Sequence, residues 1–402
     1  MRRNLRLAAA AVAATALALL GANLWVGIKT EERLRAALAA QNAEAPVRVH
    51  LLDYQRGLFA AQMISEIEIA LPARLTGGDS DRRWLRLPVR HEIKHGPLII
   101  GRLPGQKWRR EPLLIAVHSV LDPRSLGAGG EQWQLTADTL VTLQGDIVIT
   151  FALAPLDPAA QKRIGLSGRM KINRKPARMN GELQILDLAW RQGERDCRVR
   201  DLHLAITARE EENGLLSGEL TGRLAELITG GQPYGPGELA AAWRNLPRSA
   251  GSRLLSLAPR AGEEISGRTA QTLVETLPEF IQNNAEITME KLRLATPEGQ
   301  VAGSLRLAFK GREERVLFHP LALLSALRLE LALEIPESMA PAATEDQRQL
   351  LEALVERGYL RRQEGQLRLN MSYQEGSLIL NNNPLPWQEL LYSYKTIGNT
   401  LR

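Results

Sequence analysis

The chain has 402 residues, of which 44% are hydrophobic and 24% charged, ordinary values for a folded protein with room for one large or two medium domains. Its formal charge is +6, but Arg2, Arg3 and Arg6 supply half of it. With only 4% aromatic residues and no basic block interleaved with aromatics, composition excludes a nucleic-acid binder, and the single cysteine, Cys197, excludes an intrachain disulfide.

The first element is apolar. Leu7 to Ile28 carries no formal charge, and at about 1.5 Å per residue a helix of that length crosses a hydrocarbon core of roughly 30 Å. The arginines before it keep the N-terminus cytoplasmic under the positive-inside rule. Leu7, Leu17, Leu20, Trp25 and Ile28 would form this membrane anchor, with Trp25 at the outer interface. A cleaved secretory signal, with Ala16-Leu17-Ala18 as the small-x-small site, is the competing reading. The alanine-rich face around Ala9 and Ala13 would let two helices approach, so a homodimer stays open.

Residues 29–45 continue as a helical stalk, with Leu34, Ala37 and Leu38 at helical spacing. The period then changes to two. Strands are expected around Met63–Leu71, Leu85–Lys94, Pro112–Leu121, Trp133–Leu143, Asp146–Leu153, Gly168–Asn173, Glu182–Trp190 and Arg198–Ala208. Cys197 reads as a buried small hydrophobe in the strand pattern around Val199. Hairpins follow at Glu211–Gly214 and Pro297–Gly299, and a loosely repeated strand-turn unit returns at Gly365 and Gly376. The Thr229–Gly237 segment, rich in glycine and proline, divides the exported part into halves 46–228 and 238–402, after an N-terminal tip and span at 1–28.

Two amphipathic helices interrupt the strands, at Ser266–Asn283 and Thr344–Gly358. Each is expected to pack on the sheet. Between them Leu327, Leu329, Leu331, Leu333 and Ile335 alternate with Arg328, Glu330, Ala332 and Glu334, the longest regular strand pattern in the chain. The fold class expected is therefore mainly β with a few helices: an N-terminal transmembrane helix, then a long curved antiparallel sheet carrying two amphipathic helices.

His91-Glu92-Ile93-Lys94-His95 matches H-E-x-x-H, a pattern that binds zinc only on a helix, where residues i and i+4 converge. In a strand the two imidazoles stand roughly 13 Å apart, and Gly96-Pro97 would end any helix after one turn. The expectation is no metal, no cofactor and no catalytic residue, because no nucleophile elbow, P-loop or dinucleotide fingerprint appears either.

Tyr54-Gln55-Arg56-Gly57-Leu58-Phe59 resembles the turn motif of the YdgA-like family of bacterial envelope proteins, a domain-of-unknown-function family. His95-Gly96-Pro97 resembles that family's strand end, and Tyr373 to Pro386 its terminal hairpin, with Asn382 where glycine is expected. The resemblance implies an inner-membrane-anchored periplasmic protein and no mechanism. Read physically, Gly57 would take a positive φ, and Arg56 would lie over Tyr54 or Phe59.

Three function classes follow, in order. The first is a non-enzymatic envelope module that handles lipid or lipoprotein along an apolar groove at Leu327, Leu329, Leu331, Leu333 and Ile335. The second is a scaffold acting through contacts with envelope proteins, its sheet face closed by Leu273 and Leu354. A zinc hydrolase at His91 to His95 comes last.

Overall fold

The structure, a computed structural model, describes residues 25–36, 38, 47–70, 84–96, 113–121, 133–155, 165–192, 195–248, 276–310, 326–339, 345–374 and 376–385. Two compact units divide at Leu188 and Ala189.

The first unit opens with helix α1 (residues 25–36), held locally by Lys29–Glu32 and Arg35–Glu31 pairs one turn apart. Eight strands follow: β1 (Val47–Arg56), β2 (Ala60–Ala70), β3 (Trp84–His95), β4 (Leu113–Leu121), β5 (Trp133–Thr142), β6 (Ile147–Pro155), β7 (Leu166–Arg174) and β8 (Ala177–Gln192). Each pairs antiparallel with the next, a plain meander. Alternation decides the faces. Ala61, Met63 and Ile93 form a buried cluster with Leu51, Tyr54, Ile115 and Val117, and Leu34 of α1 packs on it.

The second unit contains β9 (Arg195–Glu210), β10 (Leu215–Thr229), β11 (Gln232–Tyr234), β12 (Gly237–Pro247), helix α2 (residues 276–282), β13 (Glu286–Thr296), β14 (Gly299–Phe309), β15 (Leu327–Pro336), helix α3 (Glu345–Glu356), β16 (Arg361–Gln363), β17 (Gln366–Gln374), β18 (Ser377–Leu380) and β19 (Asn383–Leu385). The hydrogen-bonded order runs β9-β10-β12-β13-β14-β15-β17-β18-β19, all antiparallel, with β11 on β10 and β16 on β17. Residues 229–237 form the β10–β11 hairpin and the step into β12.

Two expectations about helices are corrected. Leu7, Leu17 and Leu20 lie outside the described residues; Trp25 and Ile28 belong to α1, which goes on through Lys29, Glu31, Glu32, Arg33 and Arg35. Among the described residues no helix is long and apolar enough to cross a membrane.

Nor do two helices lie across the sheet. Phe280 and Ile281 of α2 pack at the ends of β14 and β15, against Phe309, Ala326 and Leu327, with the Phe280 and Phe309 rings stacked at 5.4 Å; Leu273 falls outside the described residues. The C-terminal end of α3 is tied to strand ends. Arg362 of β16 pairs with Glu352, and the residues just beyond the helix offer Tyr359 O to Asn381 and Gly358 O to Asn383. The fold is thus two antiparallel meanders, each with short helices at its margins. The physical reason is local: α2 is short and closes on apolar residues at strand termini, while α3 is fixed at its C-terminal end by an ion pair and backbone hydrogen bonds.

Candidate functional site

The motif at Tyr54 to Phe59 is a corner that holds α1. Arg56 Nη1 donates to Glu31 Oε2 at 3.1 Å, and the other oxygen of Glu31 accepts from Arg35. Arg56 therefore reaches the helix and not an aromatic ring. Gly57 is not at positive φ; it is needed because a Cβ there would lie 2.7 Å from Ala60 O, the atom that accepts the Gly57 N–H at 2.8 Å. Tyr54 is half-buried beside α1, and burial, reinforced by the Glu31 carboxylate, raises its phenol above the ordinary range. Phe59 is exposed, and its carbonyl accepts the His95 N–H at 3.1 Å. His95 is buried with its ring on Gly27 of α1, where a Cβ would come within 2.7 Å of Cε1. Gly96, at φ 150, turns the chain out of β3, and Pro97 lies outside the described residues.

His91 and His95 both lie on β3, a strand, as the alternation of that segment demands. Instead of converging, they serve separate neighbours. His91 Nε2 lies 2.7 Å from Ser65 Oγ, and Nδ1 lies 2.8 Å from Ser119 Oγ. A neutral imidazole has one donor and one acceptor nitrogen, so the two hydroxyls take opposite roles. Burial pushes the His91 ring down to about 4. Glu92 points to the opposite face, opposite Gln62 and His118, and His118 Nδ1 pairs with Asp138 at 2.7 Å. Among the described residues no group of three or more His, Cys, Asp or Glu could hold a metal. The Ser65–His91–Ser119 bridge was invisible in the sequence because its members are 26 and 28 residues apart and meet only through strand register.

The leucines of β15 belong to something larger than one strand. Direct cross-strand partners run Leu204, Gly222, Leu239, Leu292, Gly303, Leu333 and Leu369 from β9 to β17. A second row runs Ile206, Leu220, Ala241, Met289, Leu305, Leu331, Met371 and Leu380; a third runs Ala208, Gly218, Trp243, Ile287, Leu307, Leu329, Tyr373 and Leu378. Partners in register share a face, so three parallel apolar rows cover one side of this sheet. Ile335 pairs with Leu367, and Leu327 with Phe309, at the row ends. Most of these side chains are half-buried. The bulge in β13 inserts one extra residue between Met289 and Leu292, which pair with Leu305 and Gly303, and so lets both keep to the same face.

The opposite face is polar. Ala242, Thr288, Arg306, Glu330 and Ser372 pair across five strands and floor a hollow of about 640 Å³. Arg306 Nε donates to Glu286 at its edge, at 2.8 Å. This hollow is a charged trough between long side chains, while the apolar rows lie on the other side of the same strands.

A family model described as bacterial protein of unknown function (DUF945) matches residues 1–184 and 178–388. The chain belongs to this family. No curated protein matches it, and no solved structure does. In this DUF945 chain, packing among the described residues leaves most of the three apolar rows half-exposed.

Proposed function

We propose that this chain is a non-enzymatic protein of the bacterial envelope that holds acyl chains against the apolar face of its second unit, in keeping with the YdgA-like resemblance. The observation that carries the reading is the row geometry. Leucine and methionine dominate the rows, with Gly222 and Gly303 in the first and Gly218 in the third overlaid by neighbouring side chains of Leu204, Leu333 and Trp243, which gives a broad apolar surface of mostly flexible side chains. Seven strands at roughly 4.8 Å spacing make a row of about 29 Å, longer than the roughly 15 Å that one leaflet's chains span in a bilayer. Half-exposed apolar side chains in such number exceed what scattered surface leucines account for.

A bulk apolar ligand needs no directional partner, which fits a face with almost no polar atoms. The test is native mass spectrometry of the full chain released from detergent. Adducts at acyl or phospholipid mass that vanish on denaturation support the reading. A bare polypeptide mass under conditions that retain detergent-resistant ligands in control carriers sinks it.

A further inference from the structure

One row on the polar face of the second unit is basic. Cross-strand partners run Arg223, Glu238, Arg293, Ala302, Glu334 and Arg368 from β10 to β17. Both carboxylates are already taken, Glu238 by Lys291 and Glu334 by Arg368 at 3.2 Å, which leaves the charges of Arg223 and Arg293 unmatched in the row. Lys291, by hydrogen bond and charge, and then Arg223 and Arg293, by charge, hold the Glu238 carboxyl below the ordinary range. Arg223 and Arg293 are exposed and flank β12 on either side, about 10 Å apart at two strand spacings. This row borders the polar hollow. The β13 bulge sets Glu290 and Lys291 opposite the single residue Ser304, so Lys291 reaches Glu238 while Glu290 lines the hollow. Ser304, Ala332 and Asn370 pair across three strands and also line it, between the basic row and the floor row that contains Thr288, Glu330 and Ser372.

We propose that this face binds a phosphorylated oligosaccharide, its hydroxyls in the hollow and its phosphate between Arg223 and Arg293. A phosphate monoester carries a charge of about −1.5 to −2 near pH 7, which matches the two unmatched guanidiniums, and guanidinium is the side-chain group best shaped to hold phosphate in two-pronged fashion. The hollow supplies the rest. Sugar hydroxyls both donate and accept, and the exposed side chains of Asn370, Glu290 and Glu330, with the hydroxyls of Thr288, Ser304 and Ser372, offer donors and acceptors together. Its volume of about 640 Å³ is that of a small-ligand site, and its floor crosses five strands, about 19 Å, which suits several linked sugars better than one. Other occupants fit less well. The leucine rows lie on the opposite side of the same strands, so the phosphate is not the headgroup of an acyl chain held there. None of these polar rows carries an aromatic side chain on which a nucleic-acid base could stack, and a second copy would bring like charge against like.

The test uses the full chain in a neutral detergent, a short phosphorylated maltodextrin with inorganic phosphate in the same tube, and phosphorus-31 line widths. The dextrin signal should broaden at least three-fold more than that of inorganic phosphate, each relative to its protein-free width. Arg223→Gln together with Arg293→Gln should abolish both effects. Glu330→Ala together with Asn370→Ala should bring the dextrin signal down to the inorganic level and leave the inorganic signal unchanged. All four side chains are exposed, so both variants keep the fold, checked by circular dichroism. Equal broadening of the two signals in the unmodified chain overturns the proposal and leaves a general anion surface. No broadening, broadening that survives loss of both arginines, or dextrin broadening indifferent to Glu330 and Asn370 overturns it as well. None of these results bears on acyl chains at the leucine rows, which the variants do not touch.

Discussion

Trp243 occupies the space that Gly218 leaves empty: a Cβ on Gly218 would lie 2.4 Å from Trp243 Cζ2 and 2.3 Å from Thr207 O. The two residues are direct cross-strand partners in the third apolar row, so the indole lies flat on neighbouring backbone where a larger partner would lift it. Phe151 covers Gly168 in the first unit in the same way, at 2.2 Å from the would-be Cβ. Gly218→Ala meets backbone on one side and a ring on the other. It is expected to destabilise by about 3 kcal/mol, the upper range of overpacking, measured as a shift in denaturation midpoint. A neutral effect would mean that Trp243 is free to leave the face.

Asn381 is the hub of the last hairpin. Its Oδ1 accepts Asn370 N–H at 2.9 Å, its Nδ2 donates to Tyr359 O at 2.8 Å and to Arg368 O at 3.0 Å, and the residue is 1% exposed. Asn381→Ala strands three backbone groups and is expected to cost roughly 3 kcal/mol, given 1–3 kcal/mol for a buried group left unpaired. Asn381 sits at φ 48, so Asn381→Gly separates the causes. If the glycine variant is as unstable as the alanine variant, the hydrogen bonds hold the turn; recovery with glycine would assign it to backbone conformation.

His91 gives a pH signature. Its folded value, about 4, lies below the ordinary 6.5, so between these values the unfolded chain binds more protons and unfolding free energy rises with pH. The stabilisation is complete above about pH 6.5, fades as pH falls towards 4 and is gone below. His91→Gln keeps hydrogen-bonding capacity for Ser65 and Ser119 but does not titrate. The difference in stability between wild type and variant should therefore widen from pH 4 to 6.5. A constant difference across that window would contradict a buried, neutral His91.

Gly27→Ala tests the seat of α1. Alanine in a helix is favoured over glycine by about 1 kcal/mol, but here the added Cβ would sit 2.7 Å from His95 Cε1. Net destabilisation of about 1 kcal/mol is expected, with faster hydrogen exchange in α1. The Arg56–Glu31 pair is partly exposed and should show a coupling energy below about 1 kcal/mol in a double-mutant cycle. Stabilisation by Gly27→Ala would remove His95 from under the helix.

Much of this was legible in residue order. The alternation of Leu85 to Lys94 and of Leu327 to Ile335 marked β3 and β15, and with β3 the placement of His91 and His95 on a strand. Thr344 to Gly358 contained α3. What stayed hidden depends on register. Leucine alternation in one strand cannot reveal that Leu333 faces Gly303 and Leu369, nor that Ser65 and Ser119 meet on either side of His91. The helices were misplaced for a related reason: amphipathicity shows that a helix buries one face, not whether it does so across a sheet or at strand ends. Asn382, where glycine was expected, adopts φ 71, a conformation asparagine tolerates better than other side chains.

On the proposed function, the three rows of the second unit receive acyl chains. A fatty acid carrying a photoactivatable diazirine at mid-chain, added to the full chain and followed by irradiation and peptide mapping, tests it most directly. Labelling should fall on β13, β14, β15 and β17 at residues such as Leu292, Leu305, Leu331, Leu333 and Met371, be competed by unlabelled fatty acid, and drop at least five-fold in a Leu331→Glu, Leu333→Glu variant that keeps its native circular dichroism. Labelling confined to the polar face around Thr288 and Ser372, or unaffected by the two glutamates, would contradict it.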